Sequence, residues 1–306
     1  MSDMKELKSI KIVPYTLMNS SLSAVWGLLF AIILLIFAGA FSAVLPSELS
    51  SFSGFLLGLG VAGLVVFPVG SFLLSITQSF LYALIYNLMV PKLGGIQIEL
   101  ADMKEITKAG VIPFALIVAA VTAVFQFVIQ LVFVPLQYLS IGFIGSMVKT
   151  IAATTNSTMP VASMGSLGGF SALGAILNII LTPIITFIMV FIGAVILAAL
   201  YNLLAPKLGG IKIGLSEKAH GFLGIESISP VALGLIGGAI AAVFGIIIGI
   251  LFLIILAIAG SALAGLVLLF VYAIGGFIVI FIAYALTAVF YNFLAPKIGG
   301  FEIKLE

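Results

Sequence analysis

The chain has 306 residues, of which 63% are hydrophobic and 7% charged, with a net charge of +2 and a mean hydropathy of +1.43. Soluble domains carry about 25% charged residues, so a chain this apolar cannot wet its own surface and belongs in a bilayer. It contains no cysteine and no arginine. That excludes disulfides, thiolate metal sites, cysteine nucleophiles and the bidentate forks that grip phosphate, and the small net charge argues against nucleic acid as a partner.

Lys5, Lys8 and Lys11 precede the first apolar run, Leu22 to Leu45. The run is too long for a signal-peptide core, so it reads as a retained membrane span. Five more apolar runs follow. First helices are expected near 19–44, 113–136 and 231–259, and second helices near 54–90, 169–205 and 263–295. The second runs exceed what a 30 Å core needs, so they must tilt, kink or project. Pro68 and Pro183 lie at matching places as expected kinks, with Ala273 at that place in the third copy.

Each second run ends in one recurring phrase. It reads Tyr86-Asn87, Pro91-Lys92 and Gly94-Gly95, then Tyr201-Asn202, Pro206-Lys207 and Gly209-Gly210, then Tyr291-Asn292, Pro296-Lys297 and Gly299-Gly300. Tyrosine suits the membrane interface, proline is expected to end the helix, and Gly-Gly to turn the chain. Asn is expected to cap carbonyls that the proline exposes. Gln97-Ile98-Glu99-Leu100, Lys212-Ile213-Gly214-Leu215 and Glu302-Ile303-Lys304-Leu305 follow, alternating at period two like half-buried strands. Asp3-Met4-Lys5-Glu6 and Asp102-Met103-Lys104-Glu105 open the first two copies, each leading to a proline, Pro14 or Pro113. The third opens more loosely, through Glu217-Lys218 to Pro230. Ala24-Val25-Trp26, Ala123-Val124-Phe125 and Ala242-Val243-Phe244 continue the match, with a two-residue slip in the third copy.

The units are therefore 1–101, 102–216 and 217–306. The expected fold is an all-α polytopic membrane protein with six transmembrane helices in three parallel two-helix repeats. Pseudo-threefold symmetry and a collar of short cytoplasmic β-strands complete it. All lysines except Lys149 fall on the side holding both termini, which the positive-inside rule makes cytoplasmic, in the plasma membrane of a prokaryote. The second outer loop, 140–168, is the elaborated one and carries the glycosylation sequon Asn156-Ser157-Thr158, with a helical cap over 144–153 as the rival reading.

Catalytic signals are missing. The sole histidine, His220, sits in a connector, no metal-spaced cluster exists, and Gly58-Leu59-Gly60-Val61-Ala62-Gly63 is a literal but contextless nucleotide motif. No enzyme activity and no cofactor are expected. Gly237, Ala241, Gly245 and Gly249, together with Gly54, Gly58 and Ala62, read as helix-packing stripes. Gln78, Gln126 and Gln130 are polar residues within spans. They serve either as interhelical hydrogen bonds or as a polar path. Tyr86, Asn87, Lys92, Tyr201, Asn202, Lys207, Tyr291, Asn292 and Lys297 form either structural joints at the lipid interface or a ring around a pore.

A helix pair that ends in Tyr-Asn, then Gly-Gly and a short strand, resembles a functionally uncharacterised two-helix transmembrane domain of actinobacterial and archaeal membrane proteins. Here it would stand in three tandem copies covering nearly the whole chain. The resemblance implies a membrane fold and supplies no activity. The leading expectation is a non-enzymatic scaffold or accessory subunit contacting membrane lipid or a membrane-protein partner. A passive channel along the pseudo-axis is the alternative. A lipid-handling protein, which needs a lateral opening, is a third.

Overall fold

The computed structural model describes residues 2–46, 49–155 and 172–306. Among the described residues six helices are long and apolar enough to cross a membrane. They are α1 (Ile12–Val44), α2 (Ser50–Leu93), α3 (Val111–Thr155), α4 (Ala172–Leu208), α5 (Pro230–Ile258) and α6 (Ala262–Ile298). Six strands join them: β1 (Ser2–Ile10), β2 (Ile96–Ala101), β3 (Glu105–Ala109), β4 (Ile211–Glu217), β5 (Leu223–Ile228) and β6 (Glu302–Leu305).

Each helix pair packs as a hairpin, α1 with α2, α3 with α4 and α5 with α6. Neighbouring hairpins touch through α2–α3, α4–α5 and α6–α1. Small residues set the close approaches. Gly27 lies against the Phe67 carbonyl, and Gly245 against that of Tyr272. Gly234, Gly238 and Gly249 press on α6 at Phe281, Phe277 and Leu269. The stripe on α5 is thus intramolecular contact. Gly54 and Gly58 differ from expectation, having nothing within 4 Å, and the buried glycines of that helix are Gly60 and Gly63.

Pro68 and Pro183 lie inside α2 and α4. Each removes one helix hydrogen bond. At the matching place α6 has no proline but a π-helical turn over Val271–Gly275, centred on Ala273. The third unit thus interrupts its helix ladder by a different means.

Of the long loop expected over 140–168, residues 156–168 lie outside the described residues and 140–155 are helical, because α3 runs on through Thr155. Its Ser and Thr hydroxyls turn back onto the helix backbone. Ser140 donates to Leu136 O, Thr150 to Ser146 O and Thr154 to Thr150 O, so the helix's own carbonyls satisfy these polar side chains. The sequon and Glu48 lie outside the described residues.

All six strands pair antiparallel, in chain order, and β6 closes on β1 to make a barrel. The β2–β3 turn puts Asp102 and Met103 at positive φ, and the β4–β5 turn does the same with His220. Residues opposite each other across a ladder share a face. One face is mainly aliphatic, through Leu7–Ile96, Leu100–Ile106, Ile106–Ile211, Ile213–Ile228, Leu223–Ile303 and Leu7–Leu305, and carries charge where Lys5 opposes Ile98, Asp3 opposes Leu100 and Glu217 opposes Leu223. The other carries Glu6–Gln97, Glu99–Lys108, Glu105–Lys212 and Gly224–Glu302. Ile96, Ile98, Ile106 and Ile211 come from three strands yet line one cavity, so the aliphatic face is the inner one.

Candidate functional site: a repeated joint and an unrepeated polar cavity

The recurring phrase forms a clamp between each second helix and the barrel. The Tyr86 hydroxyl donates to Leu7 O at 2.6 Å and accepts from Ile96 N at 3.3 Å. It thus holds the strand before the helix pair and the strand after it. Tyr291 does the same with Ile225 O (2.6 Å) and Phe301 N (2.9 Å). Tyr201 donates to Ile106 O and accepts from Ile211 N.

The asparagine side chain behaves as a misplaced peptide group. Asn87 accepts from Ile10 N at 2.9 Å and donates to Ile10 O at 2.8 Å. Asn202 makes the same pair with Ala109, and Asn292 with Ile228, every distance 2.8 Å. The expected role as a cap for the helix's own carbonyls is therefore not the one the side chains take. They satisfy the strand that leads into the hairpin, where the ladder stops and helix has yet to begin. Four such bonds at about 1 kcal/mol each make roughly 4 kcal/mol per unit.

Proline does not end these helices. Pro91, Pro206 and Pro296 lie inside them, and each helix runs two residues further, to Leu93, Leu208 or Ile298. Glycine ends them. Gly94, Gly209 and Gly299 have φ of 81°, 84° and 86°, a region that a Cβ disfavours. The second glycine is needed for space. A Cβ on Gly95, Gly210 or Gly300 would collide with the carbonyl of Leu7, Ile106 or Ile225, the same oxygens that the tyrosines hold.

The lysines of the phrase lie apart from this clamp. Lys92, Lys207 and Lys297 are exposed, and among the described residues they make no ion pair. One turn before each stands an exposed apolar residue, Leu88, Leu203 or Phe293. Lys297 lies over the Phe293 ring, 3.2 Å from its centroid. The barrel charges are mostly paired, as Lys11–Glu302 (2.5 Å), Lys218–Glu226 (2.7 Å) and Lys8–Glu6 (2.9 Å). The Gly95 N–H and then Lys8 hold the Glu6 carboxyl below the usual carboxylate range, and Lys218 and then Ser216 do so for Glu226.

Of the glutamines Gln78, Gln126 and Gln130, Gln78 lines a polar cavity. It shares a space of about 340 Å³ with Tyr15, Asn19 and Ser23 of α1 and with Ser75, Ser79 and Tyr82 of α2. Ser75 and Ser79 are buried, and Gln78 is exposed at the mouth. Ser23 donates to Ser75 at 3.1 Å, and the Ser75 and Ser79 hydroxyls lie 3.3 Å apart. Gln126 and Gln130 are not in this lining. By place in the chain they match Gly27 and Ala31 of α1. Sequence reading missed Tyr15, Asn19, Ser23, Ser75, Ser79 and Tyr82 as a group. The available signal was two polar stripes at helical spacing, 15/19/23 and 75/78/79/82.

Two further spaces differ in chemistry. An apolar one of about 260 Å³ is bounded by Phe114, Leu197, Leu233 and Tyr284 together with the barrel isoleucines. A cleft of about 600 Å³ on the barrel includes Asp102, Lys104, Glu105 and Lys212, beside the short β3–β4 ladder of two residue pairs. Among the described residues no cluster of His, Asp or Glu is arranged to hold a metal ion. No protein-family model, no curated protein and no solved structure matches this chain.

Proposed function

We propose that the chain is a non-enzymatic membrane scaffold or accessory subunit. In this reading three parallel two-helix units surround a pseudo-threefold axis, and the barrel and both termini lie at the cytoplasmic face of a prokaryotic plasma membrane. Each unit is then one copy of the uncharacterised two-helix domain that the sequence resembles. The observation that carries the reading is the Tyr–Asn clamp, made three times on one closed barrel. It ties every helix pair to a common rigid base, as suits a platform more than a gate.

The same clamp weighs against the channel alternative. A pore ring needs free polar groups, yet the tyrosine hydroxyls and asparagine amides are occupied by backbone. A path through the barrel would also have to pass the aliphatic layer of Leu7, Ile106, Ile213 and Ile303, although Asp3, Lys5 and Glu217 share that face. The exposed Lys92, Lys207 and Lys297 suit contact with anionic lipid heads, at about 1 kcal/mol each. The mixed charges on the barrel exterior suit a protein partner.

Flux through reconstituted liposomes is the test. Vesicles carrying the protein are expected to remain tight to ions and to small neutral solutes. Conductance or solute leak above that of empty vesicles would replace the scaffold by the channel. Orientation is tested separately by single cysteines. Met103→Cys should label from the cytoplasmic side and Ser261→Cys from the outer side, and the reverse pattern would invert the topology.

A further inference from the structure

We propose that the cavity between α1 and α2 is a binding site for a small, uncharged polyhydroxyl group, either a free sugar-like solute or the neutral sugar headgroup of a lipid. This goes beyond the scaffold reading and does not depend on it.

The first argument is that the polar residues surround a space. Amides and hydroxyls that merely glue helices together close on each other. Here Ser23–Ser75 and Ser75–Ser79 form the floor, Tyr15 bonds to Asn19 along α1 and Tyr82 to Thr122 of α3, and with Gln78 these side chains still stand around about 340 Å³. Among the described residues nothing satisfies the Gln78 side chain. At roughly 30 Å³ per water the space holds about eleven waters, and it falls within the ~300–1,000 Å³ range of small-ligand pockets.

The second argument is chemical. The lining holds three serine hydroxyls, two phenols and two carboxamides, with no Lys, Asp, Glu or His. Such a wall both donates and accepts hydrogen bonds but cannot neutralise an ion at membrane depth. A polyol matches it, since every hydroxyl of a polyol is likewise donor and acceptor. The two aromatic walls are held in place from outside. Tyr82 stacks on Phe125 of α3 at 4.4 Å, and Tyr15 packs against Phe301 at 5.3 Å.

The third argument is that the other units do without it. Taking Ile10, Ala109 and Ile228, the residues the asparagines hold, as the common origin, Tyr15 corresponds to Phe114 and Leu233. Asn19 corresponds to Val118 and Gly237. Counting from the clamp tyrosines, Ser79 corresponds to Ala194 and Tyr284, and Tyr82 to Leu197 and Thr287. Phe114, Leu197, Leu233, Gly237 and Tyr284 line the apolar cavity instead. The full polar set therefore stands in one unit alone, the others keeping only scattered hydroxyls at Thr122, Tyr284 and Thr287, and the hairpin fold does not require it.

The test uses the full chain in nanodiscs of phosphatidylcholine. One arm titrates free glucose. A second dopes the discs with diglucosyl-diacylglycerol, and a third with phosphatidylglycerol. Binding is read by native mass spectrometry and by fluorescence of Trp26, one turn beyond Ser23 on α1. Saturable binding of glucose would assign the site to a free solute, and binding of the glucolipid alone would assign it to a headgroup. The variant Asn19→Val, Ser79→Ala, Tyr82→Leu carries the residues that the second unit holds at those places. It should keep the helix content and melting temperature of the parent yet bind at least tenfold more weakly. Asn178→Ala, a polar change on α4 outside the cavity, should bind as the parent does. The proposal falls if neither glucose nor glucolipid binds saturably, if the triple variant binds as well as the parent, or if phosphatidylglycerol binds as tightly as the glucolipid.

Discussion

Tyr86, Tyr201 and Tyr291 each make the same two bonds to the barrel. One turn earlier on the same helices stand Tyr82, Leu197 and Thr287, a phenol, an alkyl chain and a small hydroxyl. Tyr82 borders the polar cavity, Leu197 the apolar one, and Thr287 accepts from Trp26 Nε1 at 3.2 Å. The joint is thus repeated and the hairpin interior is not. Shared side chains at the joint solve a backbone problem that all three units face. Differing side chains in the interior are free to serve a ligand or a neighbour, and a specific activity belongs there.

The comparison breaks most sharply at the second glycine. Gly95→Ala, Gly210→Ala and Gly300→Ala each drive a Cβ into a strand carbonyl, and the clash cannot relax without opening the clamp. Each is expected to cost more than about 3 kcal/mol, seen as loss of monodisperse protein or a large fall in melting temperature. Gly58→Ala on the open face of α2 is the control. It has nothing within 4 Å, and alanine is the better helix former by about 1 kcal/mol, so it should be neutral or stabilising. If the two classes of variant melt alike, the joint is not the rigid base described here.

Tyrosine hydroxyls give a smaller and more discriminating effect. Tyr86→Phe, Tyr201→Phe and Tyr291→Phe each strand one carbonyl and one N–H, at an expected cost of about 1–3 kcal/mol, similar in the three units. Tyr82→Phe loses one hydrogen bond, to Thr122 beside an open cavity, and should cost less, about 0.5 kcal/mol. Thermal unfolding in one detergent measures all four. A cost at Tyr82 equal to that at Tyr86 would make the polar cluster structural glue.

How much of this was legible follows the same division. The Tyr-Asn-Gly-Gly phrase occurs three times, so the joint could be located from sequence, and alternation marked the strands beside it. Barrel closure could not be read, because β6 meets β1 from the opposite end of the chain and has only four residues. The two-residue slip in the third copy resolves in space. Ile10 to Trp26, Ala109 to Phe125 and Ile228 to Phe244 are equal lengths of chain, and only the proline has moved. Pro230 is the first helical residue, capped by Ser229, whereas Pro14 and Pro113 are the third. Proline fits anywhere in a first turn, so its place there carries no register. The polar cavity was hidden for another reason. Each of its side chains is ordinary on its own helix, and only the pairing of α1 with α2 brings the two stripes face to face.

The smallest expected effect is on pH dependence, and it too separates the units. In the first unit Glu6 accepts from Gly95 N at 2.6 Å, and this bond and Lys8 depress its carboxyl below the ordinary 4.5. The place matching Glu6 in the third unit is Gly224, and there the nearby carboxylate is Glu226, depressed by Lys218 and Ser216. A depressed carboxyl contributes stability above its unfolded pKa and loses it as pH falls through the folded value. Stability should therefore decline from about pH 5 downward, by at most about 1 kcal/mol for groups this close to solvent. Glu6→Gln and Glu226→Gln should each flatten part of that decline, and the double variant most of it. The effect of each substitution on the melting temperature should shrink as pH falls, because the parent carboxyls then take up protons. An undiminished acid slope in the double variant would place the titrating groups elsewhere on the barrel.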